Sequence, residues 1–412
     1  MHDSGRMPPA LHVLLRTQFG LFLGGNGLSL TGTWMQRIAC GWLVWDWTHS
    51  AFWLGILSAS DLLPSVVIGP FAGVAADRWD RLRQNILAQT ASAALAILTA
   101  VLLATNHLSL WAMILLVTAQ GSLTAAIQPA RLAMVQQMVA REDTGVAVAL
   151  SSVTVNLTRL IGPAAAGAMI LYLDVVWVFI INALVTILFV LILTRLRLTA
   201  QAIRAARQSF LGEMTEGILY ILSTRPLWLI LLVMLCGGSM VRAMTELIPA
   251  IAAGTFANGA KGLAILTGSA AAGAVVSGLT MGRGRARDLL REVLAWWGFG
   301  ALAAIVLTHA RYPAMAMGAA AMIGFASTRG LVSTQTFVQM TTPDVLRGRV
   351  LSIHGLIARG SPALGALVIG FSADRIGLSH AVEVSSAALI VCLVAFVPLV
   401  RSVSPATTEI AQ

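Results

Sequence analysis

Twelve stretches of roughly 18 to 25 almost wholly apolar residues follow one another along the chain, the first from about 18 to 45 and the last from about 381 to 400. At about 1.5 Å per helical residue, each is long enough to cross the hydrocarbon core of a bilayer. Barrel strands would alternate apolar and polar residues in segments of about ten, and no such alternation is present. The expected fold class is therefore an all-α membrane protein with twelve transmembrane helices. Composition agrees: 58% of the 412 residues are hydrophobic, 11% are charged, and the mean hydropathy is +0.84. The first run is too long for a signal-peptide core and no small-x-small site follows it, so the N-terminus is expected to stay in place.

A formal charge of +10 in a soluble protein would suggest nucleic acid, but its distribution here argues otherwise. Most Lys and Arg fall in one alternate set of loops and tails, whereas the opposite set holds Lys261, Arg311 and Arg375. That bias places both termini and the loop at Asp77 in the cytoplasm. The expected partners are a lipid bilayer and a small-molecule substrate, with no nucleic acid, and the chain is expected to be a monomer. Cys40, Cys236 and Cys392 lie in apolar runs and read as small core residues. No His, Cys, Asp or Glu cluster has metal-ligand spacing, so no metal is expected. No nucleotide loop or nucleophile elbow occurs either, which argues against an enzyme.

Charges inside the runs are the informative exceptions, because each costs about 2.5 to 3.5 kcal/mol at the bilayer centre on insertion scales. In the first run Asn26, Ser29, Thr33, Gln36 and Arg37 share an arc of about 100°, a polar stripe that must face protein or a wet cavity. Arg37 and Asp61 reach similar depth, roughly 15 Å from the outer surface. Two roles stand open for them: a static ion pair that fixes packing, or substrate and proton handling. Asp61 and Glu246 read as the acids lying deep inside runs and are the leading proton-coupling candidates; Glu246 follows Arg242 by one turn. Arg159, Arg329 and Arg359 are further intramembrane cations, Arg329 on a face with Ser333 and Thr336 and Arg359 beside His354, which reads as a packing residue.

The charged stretch Phe71 to Arg83 carries Gly73, Asp77, Arg78, Asp80, Arg81 and Arg83 in the spacing G-x-x-x-D-R-x-D-R-x-R. It reads as a loop in water between the second and third helices. The spacing resembles the signature of the major facilitator superfamily at that place, with Asp80 where the family usually has Gly and Leu82 where it usually has a base. The D-R-x-D-R form is similar to the branch containing the enterobactin exporter and macrolide-efflux proteins, as are Gly32-Thr33-Trp34-Met35-Gln36-Arg37 and Ile161-Gly162-Pro163. Gly162, Pro163 and Gly167 resemble the fifth-helix Gly-Pro motif of antiporters, though close packing alone would account for them.

The second half echoes the first. Arg37, Gly73 and Arg78 recur 205 residues on as Arg242, Gly278 and Arg283, and Arg159 and Pro163 recur as Arg359 and Pro362, the latter followed by Gly365. Such an offset indicates duplication. Domains follow: a six-helix bundle over 1–194, a cytoplasmic linker over 195–225 and a second bundle over 226–412. In the linker Phe210, Met214, Ile218 and Ile221 recur at helical spacing, as in an amphipathic helix on the inner leaflet. The resemblance implies a transporter of the bacterial cytoplasmic membrane whose halves rock about a central cavity. Its cytoplasmic gate would comprise Gly73, Asp77, Arg78, Arg81, Gly278 and Arg283. The resemblance further implies export of an amphipathic small molecule such as a siderophore or drug, with a proton gradient and no cofactor as driving force. An importer of the same fold and a non-transporting membrane protein are the alternatives.

Overall fold

The computed structural model describes residues 9–198, 210–255, 259–281 and 286–401, and every regular element among them is helical. In chain order these are α1 (Pro9–Arg16), α2 (Gln18–Thr48), α3 (Ala51–Arg78), α4 (Arg81–Ala104), α5 (Leu110–Gln137), α6 (Thr144–Tyr172) and α7 (Val175–Arg195). After the linker come α8 (Phe210–Ser223), α9 (Arg225–Gly237), α10 (Ala243–Glu246), α11 (Ile248–Thr255) and α12 (Gly259–Leu279). The chain closes with α13 (Ala286–Thr308), α14 (Pro313–Thr341), α15 (Asp344–Ile376) and α16 (Leu378–Arg401).

Eleven helices among the described residues are long and apolar enough to cross a membrane. The first of the twelve runs, α2, is not among them, because its own polar stripe lowers its hydropathy. The inside-out patterning confirms the solvent: α7 turns Leu184, Leu188 and Leu191 outward and buries Asn182 and Thr186. In water that arrangement would be inverted, so the chain is a multi-pass membrane protein.

Helix ends are set by local chemistry. Asp174 caps α7 by accepting from the Val176 amide at 2.9 Å, and Ser109 caps α5 through the Ala112 amide at 3.2 Å. Ahead of the first apolar run, residues 9–16 form α1, whose Val13 is buried with Phe19, Phe22 and Phe189. Two expectations are corrected here. The charged stretch 71–83 is not a loop: α3 runs to Arg78 and α4 starts at Arg81. Asp80, the departure from the usual glycine, caps α4 by accepting from the Arg83 amide at 2.8 Å. The seventh run is not one helix; after α9 the chain takes a π-helical turn over Gly238–Arg242 and breaks again at Leu247, two residues before Pro249.

The chain forms two compact units, residues 1–40 with 63–207 and residues 41–62 with 208–412. The expected division at 194 to 226 thus meets an exception, since the turn between α2 and α3 with its flanking residues packs with the second unit. Within that unit the seam between α12 and α14 is glycine-made. A Cβ on Gly273 of α12 would be driven into the Ala321 carbonyl, and one on Gly324 of α14 into the Ala270 carbonyl. Gly324→Ala should therefore cost about 1 to 3 kcal/mol through overpacking. Gly318→Ala, on the same helix with open space around it, should be neutral or slightly stabilising. Equal melting temperatures for the two variants in detergent would refute this account of the seam.

Candidate functional site

In the first unit, the stripe on α2 divides. Gly25, Ser29, Gly32 and Gln36 recur at helical spacing and pack on α7: Gln36 accepts from Asn182 Nδ2 at 2.5 Å, Ser29 and Thr186 share a hydrogen bond at 3.4 Å, and Gly25 lies against Phe189. Of the two surroundings open to the stripe, protein or a wet cavity, Gln36 takes the first: it is buried between two helices because α7 offers an amide partner. Thr33 folds back on the Ser29 carbonyl at 2.9 Å, and Asn26 is buried. The adjacent arc carries Arg37 and Trp34. The Arg37 and Arg159 guanidinium carbons each stand 5.6 Å from the centre of the Trp34 ring, so one indole holds two cations. What lets α6 come this close is Gly162, whose missing Cβ would strike Trp34. Pro163 and the buried Gly167 continue that helix.

In the second unit the same pairing of segments recurs with different chemistry. Gly238 of the π-helical turn lies against Ser361 of α15, and Gly365 of α15 lies against the Ser239 carbonyl. Arg242, the last residue of that turn, donates through Nη1 to the Ala358 carbonyl. Ala358 stands four residues before Pro362, which has no N–H, so its carbonyl lacks a helical donor. Arg242 supplies one from the neighbouring segment. Buried His354, one turn earlier on α15, hydrogen-bonds to Thr334 Oγ1 at 3.1 Å and feels the Arg242 charge. Glu246 is half-buried at the end of α10.

Asp61 belongs to this second unit, whereas Arg37 belongs to the first. The charge that acts on Arg359 of α15 is the Asp61 carboxylate. Glycine contacts explain the meeting: a Cβ on Gly370 would strike the Ala51 carbonyl, and one on Gly55 would reach 2.7 Å from the backbone of Leu367. As α3 advances from 51 to 61 its partner on α15 recedes from 370 to 359, step for step, as in two antiparallel helices of equal rise. Small residues bring the backbones together, and the Asp61 charge reaches Arg359 where the seam nears mid-span.

A family model described as transmembrane secretion effector matches residues 12–409, nearly the whole chain. The chain belongs to this family of major facilitator superfamily transporters. Among curated relatives of the chain, the staphyloferrin A transporter of Staphylococcus aureus is 25% identical over 87% of the chain and 90% of the relative. Macrolide efflux protein A of Streptococcus pyogenes is 24% identical over 94% and 97%. The fold also matches solved transporters. The nucleoside transporter NupG superposes with a TM-score of 0.69 at 13% identity over 97% of the chain and 100% of the solved one. A D-xylose-proton symporter gives 0.69 at 12% over 97% and 98%.

Other expected site residues of the chain are placed elsewhere or lie outside the described residues. Arg329 pairs with Glu292 of α13 at 2.7 Å, and Ser333 donates to the same carboxylate at 3.3 Å. Glu292, near the start of its run, was not counted among deep acids, and the pair holds α13 to α14. Gly73, Asp77 and Arg78 fall in the last turns of α3 with their side chains outside the described set, and Arg283 falls outside the described residues. Arg81 opens α4 and Gly278 lies open on α12. Arg349 of α15 is paired with Glu216 of α8 at 2.5 Å. Sequence reasoning passed over Trp34 and Asp374. The signal for Trp34 was its place between Thr33 and Arg37, and for Asp374 there was none beyond its position near a helix end.

Proposed function

We propose that this secretion effector is a proton-driven exporter of an amphipathic small molecule of the siderophore or drug class. The observation that carries the reading is the family match over residues 12–409. The two curated relatives carry a siderophore and a macrolide in their names, which supports that cargo class. The chain works as a monomer in the bacterial cytoplasmic membrane, with both termini inside. Twelve helices in two pseudo-symmetric bundles alternate access to a cavity between them. Its cytoplasmic gate uses Gly73, Asp77, Arg78 and Arg81 with Gly278 and Arg283 of the second half.

Asp61 is the favoured coupling carboxylate over Glu246. Proton coupling needs an acid whose proton affinity changes as its neighbours move. The Asp61 charge acts on a cation of another helix, Arg359 of α15, whereas Glu246 follows Arg242 by one turn on the same segment. The test is counterflow: purified protein in liposomes loaded with a siderophore or a macrolide should accumulate labelled cargo transiently from outside. Absence of counterflow for every member of a siderophore and macrolide panel, from folded protein, would count against transport of this class.

A further inference from the structure

At the end of α15, Asp374 makes two bonds that no local residue could make for it. Its Oδ2 accepts from Ser50 Oγ at 2.5 Å and its Oδ1 accepts from the Ala51 amide at 3.1 Å. Ala51 is the first residue of α3, so Asp374 is the N-cap of a helix that lies more than 300 residues away in the chain. Helix starts leave N–H groups without intrahelical partners, and a cap normally comes from the residue just before. Here Ser50 precedes the helix, but its hydroxyl is turned to Asp374. His49 makes the sharp bend with φ of 48°, a left-handed conformation uncommon for a residue other than glycine.

The surroundings make the cap conditional on one arrangement of the helices. Gly370, one turn before Asp374, admits the Ala51 backbone, and Phe371 meets the Phe52 ring at 6.0 Å while the Arg375 guanidinium lies 3.5 Å from the centre of the Phe371 ring. Trp45, His49, Ser50 and Asp374 also line a cleft at this end, so the carboxylate lies where solvent can enter. If α3 moves away from α15, the first turn of α3 loses its cap and Asp374 loses both donors.

We propose that Asp374 is the latch of the membrane face opposite the chain's N-terminus: it completes the first turn of α3 only while that face is closed. The proposal rests on the alternating-access reading above and assigns it a positioning residue. Opening the face then carries the loss of a helix cap, so the latch sets how often the closed state gives way.

The experiment reads conformation, without cargo or proton gradient. In a background with Cys40, Cys236 and Cys392 replaced by Ala, spin labels are placed at Asn106 and Tyr312, in two other turns that the order of spans assigns to that face. Their distance distribution is measured in liposomes by pulsed electron resonance. Asp374→Ala should raise the ratio of long to short distances about fivefold, the equivalent of one lost cap. Asp374→Asn keeps an acceptor at the Oδ1 position and should stay near wild type. Superimposed distributions for Asp374→Ala and wild type would overturn the latch, as would an equal shift in the Ala and Asn variants. A shifted distribution in a chain that fails counterflow would leave the latch standing and count only against the export reading.

Discussion

Asp61→Asn is expected to abolish efflux driven by a pH gradient while leaving exchange of cargo at equal pH on both sides close to the wild-type rate. Asp61 is half-buried rather than enclosed, so removing its charge does not carry the roughly 3 to 5 kcal/mol cost of breaking a dry buried pair. A carboxylate so placed can gain and lose a charged neighbour within a transport cycle. For the same reason Asp61→Asn and Arg359→Gln should insert and express near the wild-type level, which separates loss of coupling from loss of fold. Exchange needs the carrier to reorient with cargo bound but needs no net proton movement, so it should survive. Gradient-driven efflux by Asp61→Asn would remove this residue from coupling and move the assignment to Glu246.

Much of the fold was legible because the membrane imposes a coarse rule. Apolar runs long enough to cross it are hard to mistake, and the helices from α3 to α7 and from α12 to α16 lie where the runs predicted them. The rule fails where length or polarity departs from it. α1, with eight residues, is too short to register as a run, yet Thr17 ends it by turning its hydroxyl to the Val13 carbonyl at 2.6 Å. The stretch Phe71 to Arg83 looked like a loop because its charges belong in water. Charge alone does not end a helix, and α3 continues to Arg78 until Asp80 starts a new one. The break in the seventh run was foreshadowed by Gly237, Gly238 and Pro249, residues that each weaken a helix.

The site was less legible, for a geometric reason. Depth along a helix can be counted from sequence, but the neighbour at that depth cannot. Depth matched Asp61 to Arg37 but gave no sign of Arg359, on which the Asp61 charge acts because Gly55 and Gly370 bring α3 onto α15. The duplication was visible in Arg37 and Arg242 at equal places. Their chemistry was not: Arg37 lies over an indole, whereas Arg242 reaches a backbone carbonyl. α15 emerges as the helix on which the second unit is fastened, through Glu216 to Arg349 at one end, Arg242 to Ala358 in the middle and Asp374 to Ala51 at the other.

Arg242→Leu is expected to destabilise the protein by about 2 to 3 kcal/mol, because it removes a charge-assisted hydrogen bond and leaves the Ala358 carbonyl without a donor. A cation held for cargo alone would not have this signature, since its loss would spare stability. The cause of the vacancy is Pro362, whose ring nitrogen cannot donate to the carbonyl four residues earlier. Replacing that proline should therefore repair what the arginine's loss exposes. In Arg242→Leu with Pro362→Ala, the amide of the new alanine can reach the Ala358 carbonyl within α15, and most of the lost stability should return. Pro362→Ala alone should change stability little, because Arg242 and the new amide would compete for one acceptor that has two lone pairs. The four melting temperatures in detergent form a double-mutant cycle with a favourable interaction between the two substitutions. Additive changes around that cycle would mean that Arg242 does not serve the proline-freed carbonyl, and its equivalence of place with Arg37 in the duplicated half would then point back to a shared role in the cavity.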